Sequence, residues 1–443
     1  MKRAALHNLG CKVNGYETEA MQKLLEEAGY IIVPFHEKAD VYVINTCTVT
    51  NMADRKSRQM LHRARKMNPD AVIVAAGCYV QAQEESGNTI EDIDILIGNN
   101  QKKNLISLLN AYKNHDGAKD VIDINHTDEF EELYVDSAGE HTRAYIKVQD
   151  GCNQFCTYCI IPYVRGRIRS RKPEEILKEV ERLAEKGYKE VILTGIHVSS
   201  YGMDFIDSKM DFDKWVSLEG EKKDLLYLIK LIHQVEGIRR IRLSSIEPRI
   251  ITEHFAKELS ELPKICPHFH LSMQSGCNET LKRMNRHYTS EEFYEKCCIL
   301  RQYFKHPAIT TDVIVGFPQE TEEEFEQTRK FIDKVDFYET HVFKYSQRNG
   351  TKAAAMKGQV PEQEKTRRSS ILLSMNEEKK RRFEEKMIGE KVEVLMEEPI
   401  MIDGKTYQTG HTKEYVKIAI ESEKNLENKI VEMIIQNHSQ IMD

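Results

Sequence analysis

Six short apolar, β-branched runs recur through the middle of the chain, at 143–149, 190–194, 238–243, 267–272, 309–315 and 338–343, with amphipathic stretches between them. That alternation constrains the fold strongly. Parallel strands need a long crossover, usually a helix, so the strands pair in parallel with helices on the outer face. Six such units predict a (β/α)6 barrel or partial barrel over residues 141–360. "PEEILKEVERLAEKG" is typical of the intervening helices, with Pro173 in its first turn and Gly187 closing it.

A separate strand–helix series precedes this region. "DVYVINTC" (40–47) and "AVIVAAGC" (71–78) read as fully buried strands. "YETEAMQKLLEEAG" (16–29) and "DRKSRQMLHRARKM" (54–67) carry helical apolar spacing. Residues 1–125 are therefore expected to form a parallel α/β domain of their own. The acidic, polar stretch 126–140 reads as a linker. Residues 200–221 lack periodicity and are long for a βα loop, which suggests either a lid or an excursion. After a basic helical segment at 361–388, the brief runs "KVEVLMEE", "KTYQTGHT", "YVKIAI" and "KIVEMII" predict a small antiparallel β barrel over 389–443.

No apolar run reaches the roughly 18 residues needed to span a membrane. In "MKRAALHNLG" two basic residues stand first, but His7 and Asn8 interrupt any signal core. The expectation is a cytoplasmic protein with no membrane partner. In that compartment ten cysteines are better read as metal ligands, reactive thiols or small buried hydrophobes than as disulfides. A net charge of −7 argues against a broadly basic nucleic-acid binder but leaves room for a local patch.

"DGCNQFCTYC" places Cys152, Cys156 and Cys159 at C-x3-C-x2-C spacing, directly after the first strand of the barrel series. In parallel α/β folds that end of the sheet carries the active site. Thiolates are soft ligands for zinc or iron–sulfur clusters. A zinc site would ordinarily add a second C-x2-C or a Cys/His pair nearby, and none is present. Three buried structural cysteines suit this polar segment poorly. The set has three ligands where a closed site wants four.

Cys11, Cys47 and Cys78 also end strand-like runs, "LHNLGC", "YVINTC" and "VAAGC". Neighbouring parallel strands put their carboxyl ends along one edge, so these three thiols could converge in a ligand crevice. They could equally be core residues, since cysteine is among the most buried residue types.

The run C-x3-C-x-aromatic-C, with Tyr158 before the last cysteine, resembles the radical S-adenosylmethionine (SAM) superfamily. The resemblance implies a [4Fe–4S] cluster on Cys152, Cys156 and Cys159, the catalytic cysteines. Its fourth iron is left to SAM, which is cleaved to a 5′-deoxyadenosyl radical. "LGCKVNGYETE", "INTCTVT", "AAGCY" and "VQDGCNQFCTYCIIPYVRGRIRSR" together resemble the radical-SAM methylthiotransferases along nearly the whole chain. That family implies a second, auxiliary [4Fe–4S] cluster on Cys11, Cys47 and Cys78, a flavodoxin- or ferredoxin-type electron donor, and a C-terminal TRAM domain. One branch modifies isopentenyladenosine in tRNA, one an aspartate of a ribosomal protein, one threonylcarbamoyladenosine in tRNA. Cys11-Lys12-Val13-Asn14, "SSIEP" (244–248) and "HFHLSMQSG" (268–276) resemble the third branch, which implies a tRNA anticodon stem-loop as partner. The ribosomal-protein branch is one alternative. Another is an iron–sulfur redox protein without chemistry of its own, which would want four protein ligands per cluster.

The resemblance also implies SAM contacts at the strand ends: Gly195 in "LTGIH", Glu247, Gln274 and Ser275, and Gly316 in "DVIVGFPQET". Gly195 could instead be a plain turn glycine, and Thr321 an ordinary helix cap. "VRGRIRSRK" (164–172), with five basic residues in nine, could anchor phosphates or be a solvated loop. The TRAM-like tail holds 6 Lys and no Arg against 11 Asp and Glu, so Lys413, Tyr415 and Lys417 are its best candidates for RNA contact. Cys266, Cys277, Cys297 and Cys298 match no ligand spacing, and His268 and His270 share a strand face with no third ligand.

Overall fold

The computed structural model describes residues 2–87, 93–113, 119–135 and 142–442. The last five residues of the expected linker, 136–140, lie outside them. Among the described residues no helix is long and apolar enough to cross a membrane.

The chain opens with β1 (Arg3–Asn8), α1 (Lys12–Glu27), β2 (Ile31–Ile32), β3 (Val41–Thr46), α2 (Asn51–Met67), β4 (Val72–Gly77), α3 (Cys78–Glu85), β5 (Ile95–Ile97), α4 (Leu105–Lys113) and β6 (Lys119–Asp120). Its strands form one parallel sheet in the order β2-β1-β3-β4-β5-β6. β3 is buried along its whole length, which explains its unbroken apolar character. Val41 and Val43 pack on one face with Met21 and Leu25, while Tyr42 and Ile44 pack on the other with Leu61 and Ala64.

The central region follows: β7 (Arg143–Asp150), α5 (Ile161–Val164), β8 (Arg169–Ser170), α6 (Pro173–Glu185), β9 (Glu190–Gly195), α7 (Phe212–Ser217), α8 (Leu225–His233), β10 (Arg240–Leu243), α9 (Glu253–Ser260), β11 (His268–His270), α10 (Asn278–Arg283), α11 (Ser290–Tyr303), β12 (Ala308–Val315), α12 (Glu322–Val335) and β13 (Glu339–Lys344). Parallel pairing runs β7-β9-β10, passes to β11 through the bridges Ile241 to Ile265 and Ile246 to Leu271, and continues β11-β12-β13. This is the expected six-stranded partial barrel. Ala144, Ile146 and Val148 join the apolar layer beneath the helices. The alternate residues Arg143, Tyr145, Lys147 and Gln149 therefore face the lumen.

The 200–221 stretch is a packed excursion: Met203, Phe212 and Trp215 form a small core with Ile168, and Asp204 accepts from Ser170 N at 2.8 Å. α13 (Glu362–Met387) then leads into β14 (Lys391–Ile402), β15 (Lys405–Thr412), β16 (Lys417–Glu421) and β17 (Ile430–Ile434). These form a four-stranded antiparallel sheet ordered β16-β15-β14-β17, in keeping with the expected small barrel.

The tail docks on the end of the large barrel where its strands begin. Arg240 Nε meets Glu393 at 3.0 Å, and Arg242 Nη1 donates to the Lys413 carbonyl at 2.9 Å. Tyr415 stacks on His268 and His411 at centroid distances of 5.0 and 4.5 Å, and Arg143 and Arg242 lie over its ring at 5.2 and 4.8 Å. Lys413 Nζ donates to the Pro263 carbonyl at 2.9 Å. Lys413 and Tyr415, the residues expected to contact RNA, thus lie in the junction between tail and barrel. Both spend their contacts on the barrel, because a half-buried phenol ringed by cations stabilises the domain junction.

Candidate functional site: two cysteine triads

Cys11, Cys47 and Cys78 follow β1, β3 and β4, three adjacent strands, and so share one carboxyl edge. Cys11 is the N-cap residue of α1 and Cys78 the first residue of α3. Burial raises Cys47 to about 11, and its proximity to Cys78 and Cys11 adds to this. Gly10 has φ +107°, and a Cβ there would stand 2.9 Å from Cys47 Sγ, so only glycine lets the chain pass the thiol. Two donors aim at Cys78 Sγ: Arg165 Nε at 3.3 Å and Asn99 Nδ2 at 3.5 Å.

Cys152, Cys156 and Cys159 are half-buried in the loop after β7. Gly151, at φ +73°, would place a Cβ 1.8 Å from the Arg167 carbonyl oxygen, so the loop's close return depends on that glycine. Burial, reinforced by Cys156, pushes the Cys159 thiol up to about 12. Among the described residues no three His, Cys, Asp or Glu side chains converge as ligands of a single ion would. Three thiols suit a cluster, where each thiolate takes its own iron. Soft donors, glycines beside them and N–H groups aimed at sulfur make the residues present fit such a group.

Arg165 joins the two halves of the molecule. Beyond Cys78, its guanidinium donates to Glu17 at 2.7 Å, Asn14 at 2.6 Å and Asp150 at 3.1 Å. Lys147 pairs with Glu17 and Asp150, each at 2.7 Å, and Lys102 with Glu17 at 3.1 Å. Every member of this network is essentially fully buried. Burial alone would raise the Glu17 carboxyl; Arg165, Lys102 and Lys147 outweigh it and hold Glu17 well below the usual range. Arg165, Lys147 and Lys102 thus surround the carboxylates of Glu17 and Asp150, and the Arg165 guanidinium reaches on to Cys78.

This corrects the phosphate-anchor reading of 164–172. Arg165, Arg169 and Arg171 are fully buried, with Arg171 on Glu132 at 2.9 Å and on Glu179, and only Arg167 and Lys172 reach solvent. The run is visible in sequence, but its acidic partners are scattered from Glu17 to Glu179.

At the SAM-side strand ends, Gly195 lies against the Gln149 backbone. Glu247 is buried and pairs with Arg286 at 3.1 Å and Arg249 at 2.9 Å. Burial would raise it, but Arg286, His197 and Arg249 hold it well below the carboxylate range. Arg286 Nη1 also donates to Cys156 Sγ at 3.4 Å. Nothing in "RMNRHY" marks Arg286 beforehand. Gln274 sits in the left-handed region at φ +69°. Ser275 Oγ is fully buried on Thr328 Oγ1 at 3.1 Å, and the stem of Lys365 occupies the place of a Gly316 side chain. His270 stacks on His341 and pairs with Asp312 at 3.3 Å. Cys266, Cys277 and Cys297 are buried and Cys298 is exposed.

The profile of the Radical SAM superfamily matches residues 146–332, and that described as Uncharacterized protein family UPF0004 matches residues 3–98. The chain is similar along its length to curated proteins. It is 42% identical over 437 residues, 98% of the chain and 94% of the relative, to Threonylcarbamoyladenosine tRNA methylthiotransferase MtaB of Bacillus subtilis. To the protein of that name in Aquifex aeolicus it is 37% identical, over 98% of the chain and 100% of the relative. To tRNA-2-methylthio-N(6)-dimethylallyladenosine synthase of Moorella thermoacetica it is 36% identical, over 95% and 93%. In fold alone it resembles the radical S-adenosylmethionine methyltransferase TsrM of Kitasatospora setae, with a TM-score of 0.54 at 14% identity over 77% of this chain and 73% of that one. On full-length similarity at this level, the chain belongs to the radical-SAM methylthiotransferase family.

Proposed function

We propose that this protein places a methylthio group on C2 of N6-threonylcarbamoyladenosine, the modified base next to the anticodon of tRNA. The observation that carries the reading is the 42% identity over 98% of the chain to a relative bearing that activity in its name. The radical SAM superfamily uses SAM and a [4Fe–4S] cluster. We assign that cluster to Cys152, Cys156 and Cys159, and a second one to Cys11, Cys47 and Cys78. When bound, these groups and SAM supply the radical and sulfur chemistry.

The chain's own residues position and protect. Glu247, kept ionised by Arg286 and Arg249, is suited to accept from the ammonium of SAM, and we assign Gly195 and Gln274 to the same site. Arg165 and Asn99 each aim an N–H at Cys78 Sγ and orient it. The division at 1–125, 141–360 and 389–443 assigns sulfur handling to the first region and radical generation to the second, with the TRAM-like, RNA-binding barrel third. A flavodoxin- or ferredoxin-type donor in the cytoplasm would complete the system.

The test is nucleoside mass spectrometry of tRNA from a strain lacking this protein. Loss of the 2-methylthio derivative of threonylcarbamoyladenosine, restored by the wild-type chain, is expected. Persistence of that derivative without a paralogue, or loss of the dimethylallyl derivative in its place, would refute the assignment.

A further inference from the structure

The proposed activity requires a polyanion to be held at the site, yet most of the cations singled out from sequence are engaged elsewhere, Arg167, Lys172 and Lys417 apart. Arg165, Arg169 and Arg171 are buried. The tail carries 6 Lys against 11 acidic residues. On α13, Arg367, Arg368, Arg381, Arg382 and Lys386 are each ion-paired.

α2 is different. Its 17 residues hold six Arg or Lys and a single acid, Asp54, in a chain whose net charge is −7. Asp54, Ser57, Leu61 and Ala64 form its buried face at helical spacing. The opposite face exposes Arg55, Lys56, Arg58, Arg63 and Lys66. Among the described residues none of these five forms an ion pair, and Arg58 only overlies Tyr79 at 5.9 Å. The helix dipole explains cations in the last turn but gives no reason for Arg55, Lys56 and Arg58 in the N-terminal half.

α2 also stands in the right place and is firmly held. It begins four residues after Cys47. Its Ser57 Oγ donates to the Cys47 carbonyl at 3.0 Å. Arg348, from the loop after β13, reaches across to Asp54 and to Asn51 Oδ1, at 2.6 and 2.8 Å. At about 1.5 Å per residue the helix offers a rail of about 25 Å, enough to follow several phosphates.

We propose that the exposed face of α2 docks the phosphate backbone of the tRNA substrate beside Cys47; this rests on the functional reading above. The interaction is by charge alone, so it holds and orients RNA without reading sequence.

The experiment measures binding of unmodified tRNA to the reconstituted full-length protein across a salt series. The variant R55Q/K56Q/R63Q/K66Q is compared with wild type, glutamine being a good helix former. Unchanged melting temperature and iron content are the controls for folding; should the quadruple variant misfold, R55Q/R63Q replaces it with about half the effect. Affinity is expected to fall at least tenfold, and the salt dependence to become shallower by roughly 0.7–0.9 for each phosphate that is no longer neutralised. A variant that keeps wild-type affinity and slope overturns the docking face while leaving the activity standing. So does a variant that changes only self-association by sedimentation. Wild-type protein that binds no tRNA overturns the functional reading and this inference together.

Discussion

Arg165 Nε lies 3.3 Å from Cys78 Sγ, so a residue six positions beyond Cys159 grips a cysteine of the N-terminal domain. The same guanidinium holds Glu17, Asn14 and Asp150. Arg165→Gln removes one of the buried cations that Glu17 and Asp150 share with Lys147, and should cost about 3 kcal/mol. Arg165→Lys keeps the charge but not the fork, and should lose less. Thermal unfolding of both variants, with iron content alongside, checks this. Equal melting temperatures for wild type and Arg165→Gln would contradict it.

The two triads should be separable by substitution. Cys47→Ala should remove the iron and sulfide of one cluster and leave SAM cleavage intact; Cys156→Ala should remove the other cluster and SAM cleavage with it. Iron and sulfide analysis after anaerobic reconstitution checks the pair. A wild type holding one cluster's worth of iron would defeat the auxiliary site.

Arg286 contacts both Cys156 Sγ and Glu247. Arg286→Gln removes the strongest influence keeping Glu247 ionised in a buried position. Affinity for SAM should fall about tenfold, or about 1.4 kcal/mol. Equilibrium dialysis with the reconstituted protein measures it, and retained affinity would remove Arg286 and Glu247 from the SAM site.

Glu19 is held near 7 from an ordinary 4.5, first by burial and then by its neighbour Glu179. One of its oxygens is buried without a partner. A carboxyl raised in the folded state takes up a proton on folding between those two values. Stability is therefore lost as pH rises from about 4.5 towards about 7. Glu19→Gln should raise stability at pH above 7 by roughly 1–3 kcal/mol and flatten that slope. Denaturant unfolding at several pH values tests it.

Tyr415 is the hub of the junction between tail and barrel. Tyr415→Ala should cost about 2 kcal/mol, less than a fully buried aromatic would. Hydrogen exchange should rise in 405–421. A drop in tRNA affinity at unchanged stability would instead restore the RNA role expected from sequence.

Much of the architecture is legible in the sequence. The six strand runs are β7 and β9 to β13, because each is a short apolar stretch between helical ones, a pattern only parallel pairing satisfies. Cys11, Cys47 and Cys78 look scattered, yet the strand ends predict their common edge. α1 begins earlier than its apolar period suggests, with Cys11 itself as N-cap, since capping residues carry no periodic signal. Basic residues are the least legible. "VRGRIRSRK" looks like a phosphate anchor until Glu17, Asp150 and Glu179 are seen around it, whereas α2's cations keep their solvent face.

By itself the sequence determined where each thiol falls along the chain and which strand it ends, because backbone periodicity and ligand spacing are local properties. Only the tertiary structure decided which charges are free. Pairing between groups more than a hundred residues apart, such as Arg165 and Glu17, depends on how separate domains bury against each other. Once buried, a cation must find its carboxylate or sulfur, and the residues left unpaired in water are the ones available to a partner.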